Sequence, residues 1–530
     1  MRRRNIACDR SAPIVAVDKR RQSEMEDGRV TGWTLLVVLL LSAGRGASHE
    51  AENVDDPAEG ITADAGGEWP KSIDTTSPRS DESERAAPAD TVVSEESCPA
   101  ECDCFNSYET VDCSRRGLKT LPPLHNATRR LYLEDNRLVS LDSGLRHAVQ
   151  LTLLIAERNS LEIVDVEKSL CGLPLIQELN LAANRIRSFR VTSGGAARLT
   201  DSNVGRCRAP ELKELNLSLN LLTSVPRNLS DFAPNLEILN LSYNEIESAT
   251  LDQSYAAMTS LRYLDLSRNR IHTLAGGDFD AVAGTGVPLE ILSLVECGLV
   301  QVEEDALADL VNLTSLGLAN NPLQQDAVTT ALGRIGRHRT APANGTHDDD
   351  GLNPDVEVEE GSDGGSCPTS DSQLIRLDVS EVITTNLSVD AFGGFSRLVV
   401  LDASYCELER VDPHLFDCLA ELETLHLEGG RLERLENLPA LRRLRRLHLQ
   451  ENRLSEAVDL RGLDGLESID LSRNRIETIP SRWLSGTRSL QVVNLSHNLI
   501  TAIEPDAFHQ VRFVIILTCG IVNKWFYAII

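Results

Sequence analysis

The feature that most constrains this chain is a pattern of leucines that keeps returning with an asparagine at one fixed place. In the stretch ELKELNLSLNLLTSV, which begins at Glu211, Leu212, Leu215, Leu217, Asn220, Leu222 and Val225 hold fixed offsets. The same offsets recur at 236–249 around Asn244, 261–274 around Asn269, 466–479 around Asn474 and 490–503 around Asn498. Leu215 and Leu217 are two apart, the spacing that puts side chains on one face of a strand. Leu212 and Leu222 approach the same core from the turns on either side. Asn220 stands where the chain leaves the strand, and its amide can bond the bare backbone groups of the bend. One such unit cannot bury its apolar face alone. Stacked units form a continuous core behind a parallel sheet, so the pattern predicts a curved solenoid.

Fourteen copies lie between residues 98 and 510, most of them 22 to 28 residues apart. Over that span the chain resembles the leucine-rich repeat superfamily, and within it extracellular Toll-like and adhesion-type ectodomains. The resemblance implies an α/β leucine-rich repeat solenoid, a horseshoe with a parallel concave β-sheet and an irregular or short-helical convex side. The sequence ends at Ile530 without a Toll-type signalling domain.

The repeats divide the 530 residues. Residues 1–44 read as a signal peptide or signal anchor, built on the apolar run Trp33 to Ala43 with small residues before Gly44. Either Met1 or Met25 is the start. Residues 45–97 form an acidic segment: from 50 to 97 there are fourteen Asp and Glu against three Lys and Arg, a composition that predicts disorder. Residues 98–124 are a cysteine-rich cap, 125–323 hold repeats one to eight, and 373–510 hold repeats nine to fourteen. Between them, 324–372 is an acidic insertion. It opens with a partial helix near 324–339 and continues as a loop with eight acidic and no basic residues from 344 to 366. It is expected to divide the solenoid into two repeat blocks. Residues 511–530 are an apolar segment, either a degenerate repeat or a truncated anchor.

Cys98, Cys102, Cys104 and Cys113 precede the first repeat. They resemble the N-terminal cap of extracellular members of the superfamily, which implies the pairs Cys98–Cys104 and Cys102–Cys113. A layer there covers the raw edge of the core. The alternative is a metal site of four thiolates. Cys171 and Cys207 flank the third repeat and a bulge of about twelve extra residues. They form either a disulfide or two buried thiols. Cys297 replaces the asparagine of repeat seven as a small buried residue.

Eight Asn-X-Ser/Thr sequons, at Asn126, Asn216, Asn228, Asn240, Asn312, Asn344, Asn386 and Asn494, together point to the secretory pathway. Asn216, Asn240 and Asn494 fall on expected concave strands, where glycans would cover part of the face. Outward positions there include Tyr243, Tyr263, Asp265 and Arg268, the candidate ligand patch. Tyrosine combines apolar area with a polar handle at low entropy cost. His426 and His448 also point outward from nearby repeats, as surface residues rather than metal ligands.

No nucleotide loop, zinc-protease motif, nucleophile elbow or kinase signature stands out, so neither an enzyme nor a cofactor is expected. A formal net charge of -28 argues against nucleic acid. The function expected is protein binding at the cell surface, in recognition, adhesion or receptor signalling, with an extracellular protein ligand or co-receptor as partner. A secreted pattern-recognition protein of innate immunity and a matrix structural protein that self-associates are the competing readings. Location is secreted or cell-surface, with membrane attachment open.

Overall fold

The computed structural model describes residues 98 to 508 with breaks, the longest at 193–206 and 336–371, and the strand backbones Val37–Leu39 and Val514–Leu517. The signal and acidic N-terminal segments, the acidic loop and most of the apolar C-terminal segment lie outside the described residues.

Each repeat contributes a three-residue strand to one sheet, which has 18 strands among the described residues. The middle residue of each strand is buried and stands in register with its neighbours: Leu179 with Leu215, Leu239, Leu264, Leu292 and Leu316 in turn. The pairing is parallel throughout the repeats. The antiparallel exception is the cap hairpin, Asp103–Phe105 with Thr110–Asp112. The sheet also continues across the acidic insertion, because Ser315–Gly317 pairs directly with Arg376–Asp378. The repeats on either side of the insertion thus share one continuous sheet. The insertion opens with the helix Gln325–Gly333, which buries Val328 and Leu332 in the core, and the strand Arg376–Asp378 stands in register with Ser315–Gly317. Val514–Leu517 adds a further parallel strand beside Val492–Asn494, and Val37–Leu39, within the apolar run, pairs with it.

The asparagines join one coil to the next. Asn244 Nδ2 donates to Leu217 O and Leu241 O, each at 3.0 Å, and its Oδ1 accepts from Leu222 N at 2.9 Å. Asn220 and Asn269 repeat this arrangement. Where the asparagine is missing, Cys297, Val382, Cys406 and Gly430 hold the place. The Cys297 thiol donates to Leu266 O at 3.1 Å and the Cys406 thiol to Val379 O at 3.2 Å. Burial pushes both thiols up to about 12, which keeps them protonated and unreactive. At Gly430 a Cβ would meet Asn452 Oδ1 at 2.9 Å.

The residue just before each of these positions takes a left-handed backbone. Asp135, Arg158, Ala183, Leu219, Tyr243, Arg268, Glu296, Asn320, Glu381, Tyr405, Gly429, Glu451, Arg473 and His497 all have φ between 53° and 70°. No β-branched residue occurs in this row, as left-handed sterics require. The segments between strands hold short helices at Val166–Ser169 and Leu229–Phe232, the 3-10 helix Gln253–Ala257 and much irregular chain. These segments send Tyr255, Phe279, Phe392 and Phe416 into the core.

Cys98 is bonded to Cys104, Cys102 to Cys113 and Cys171 to Cys207, which removes the four-thiolate alternative. Cys418 is disulfide-bonded as well.

Candidate functional site

Because the strand side chains alternate, the first and third residue of each strand form two rows on the concave face. In the first row Glu178, Glu214, Ile238, Tyr263 and Ile291 stand side by side in register. All are half-buried. Ile238, Tyr263 and Ile291 thus make an apolar strip across three coils. Burial drives the Tyr263 phenol up to about 12, with the Asp265 charge adding to it. Burial also raises the carboxyls of Glu178 and Glu214, and the Glu178 charge raises Glu214 further. In the next row Asp265 accepts from Ser267 N and Ser267 Oγ, yet burial outweighs these bonds and holds its carboxyl above the usual range.

Tyr243 and Arg268 belong to the left-handed row. The Arg268 guanidinium lies 4.6 Å from the centre of the Tyr243 ring and pairs with Glu296 at 2.7 Å. The four candidate residues therefore fall into three rows rather than one cluster. Tyr263 and Asp265 are on the sheet, while Tyr243 and Arg268 form a ridge along its edge with Leu219, which is 49% exposed. Sequence reading missed Ile291 and Glu296. Their signal was available: the position after the strand-entry residue, and the one just before the ladder asparagine or its substitute.

A second cluster lies five coils further on. The His426 and His448 rings stack at 4.3 Å and 2°. Glu428 lies 3.2 Å from His426 Nδ1. Burial pulls His426 down, but the bond and charge of Glu428 outweigh it, so its pKa is raised; burial and then the His426 charge lower His448. Among the described residues no group of three or more His, Cys, Asp or Glu is placed to hold a metal ion.

The sequons differ in access. Asn126 and Asn312 are exposed, and Asn216, Asn228 and Asn494 are half-buried. Asn240 is only 6% exposed, and its Oδ1 accepts from Ser242 N and Ser242 Oγ. Among the described sequons Asn240 is therefore the most enclosed. Asn344 and the Asn386 side chain lie outside the described residues.

The Leucine rich repeat family profile matches residues 210–271, 372–432 and 464–512. Lumican of Coturnix japonica is 25% identical over 236 residues, 44% of this chain and 62% of lumican. The human Leucine-rich repeats and immunoglobulin-like domains protein 3 is 26% identical over 240 residues, 43% of this chain and 18% of that protein. The chain thus spans less than two thirds of the length of these curated relatives. A solved leucine-rich repeat protein of Leptospira interrogans superposes with a TM-score of 0.51 at 20% identity, over 76% of this chain and 94% of that one. The shared property is the fold.

Proposed function

Because the chain belongs to the leucine-rich repeat superfamily, we propose that it binds another extracellular protein on its concave sheet, without catalysis, as a component of cell-surface recognition, adhesion or receptor signalling. The observation that carries this reading is the strip Ile238, Tyr263 and Ile291. Three neighbouring coils leave apolar and aromatic side chains half-open to water on a face whose other outward positions are mostly polar. A rigid sheet presents them without an ordering cost, the condition for a binding hot spot. The three disulfides suit an oxidising compartment.

The test is a binding screen of the secreted full chain against extracellular ectodomains, followed by Tyr263→Ser and Ile291→Ser. Each is expected to weaken a bound protein by about tenfold or more. Tyr243→Ala reports the ridge separately. A ligand that binds both strip variants normally refutes the site. Self-association that survives them favours the matrix structural reading.

A further inference from the structure

We propose a second binding site, on the lateral edge of the solenoid between repeats three and four, for the sulfate groups of a sulfated glycan chain. The strand Ser188–Arg190 pairs with Ile163–Asp165 on one side. The following coil, at Ser224 to Arg227, has no strand to pair with its other side. The result is a cleft of about 380 Å³. Arg187, Arg190 and Arg227 line it with the hydroxyl residues Ser188, Thr192 and Ser224, and none of the described residues lining it is an Asp or Glu.

That lining runs against the balance of the whole chain, which has 80 acidic residues and 52 basic ones. Elsewhere many arginines are neutralised by a carboxylate, as Arg158 is by Asp135, Arg268 by Glu296 and Arg270 by Glu245. Among the described residues Arg187, Arg190 and Arg227 have no such partner, and all three are exposed. The carboxylate opposite Arg190 in register, Asp165, is taken by Lys168 at 3.3 Å. Arg190 Nε donates to Ser188 Oγ at 3.1 Å, which orients the guanidinium and leaves its terminal nitrogens to donate outward. Planar guanidinium forks match the oxygens of sulfate, and hydroxyls supply further donors. Three forks along an open strand edge suit a polymer carrying several sulfates better than one small ion. The net charge of -28 repels polyanions in general, so binding has to come from this local cluster.

The experiment titrates the full chain with a heparin oligosaccharide near physiological salt, alongside hyaluronan, which has carboxylates but no sulfate, and inorganic sulfate. Heparin is expected to bind, hyaluronan to fail, and Arg187→Gln with Arg190→Gln and Arg227→Gln to weaken heparin by about tenfold or more. A control removes the same charge from exposed arginines on other coils, Arg397→Gln with Arg442→Gln and Arg488→Gln, and is expected to bind as the parent does. Should the triple variant melt early, Arg227→Gln alone gives the reading, with a loss of about tenfold expected. No heparin binding by the parent, unchanged binding by the cleft variants, or an equal loss in the control overturns the site. Displacement of heparin by inorganic sulfate at matched sulfate concentration overturns the glycan assignment.

Discussion

Replacing Asn244 by alanine tests the account of what joins the coils. The side chain is buried and makes three good bonds, two to repeat four and one within repeat five. The two carbonyls it reaches at 3.0 Å have second partners: Leu217 O also accepts from Asn220 Nδ2, and Leu241 O from Asn269 Nδ2. Their loss costs about 0.5–1 kcal/mol each. The Leu222 N–H is the sensitive group, since Asn244 Oδ1 is its acceptor at 2.9 Å, and a buried orphaned donor costs about 1–3 kcal/mol. The sum is about 2–5 kcal/mol. Urea denaturation reads the total, and hydrogen exchange of the Leu222 amide locates it. A loss below about 1 kcal/mol, with Leu222 still protected, refutes the reasoning.

Other outcomes follow from the same geometry. Cys297→Asn restores an amide opposite the Ile271 N–H and is expected to raise stability by about 1 kcal/mol in urea denaturation. Gly429→Ala adds a Cβ that collides with the Tyr405 ring at a φ of +70° and should cost about 1–3 kcal/mol. Combined with Tyr405→Ser, only the backbone part of that cost should remain in the melting temperature. The histidine pair gives a pH signature. Burial and the His426 charge lower His448, so the unfolded chain binds its proton more tightly, and stability falls as pH drops below 6.5. His426 is raised, so its contribution is full below 6.5 and lost as pH rises through its folded value. His448→Asn should flatten the acid side of melting temperature against pH while leaving the other slope. Reduction of Cys98–Cys104 and Cys102–Cys113 should uncover the first repeat at a cost of about 2–5 kcal/mol, seen as exchange at Leu131 before the later repeats.

The sequence by itself determined the repeat, because burial is periodic. A leucine at the wrong offset would face water, so the offsets that put Leu215, Leu239 and Leu264 in register are visible in one dimension. It also determined the asparagine's role, since only a side chain with both donors and an acceptor serves two coils at once. Four things were decided by the tertiary structure alone. The left-handed row admits many residue types, so Tyr243, Arg268 and Glu296 leave no compositional mark, and their contact depends on the stacking of three coils. The register across the acidic insertion is set by packing of Leu316 on Leu377, not by the intervening residues. The burial of Asn240 depends on its neighbouring coils, to which a sequon is blind. The cleft at Arg187, Arg190 and Arg227 exists because one lateral strand lacks a partner on the next coil, and a missing pairing has no sequence of its own.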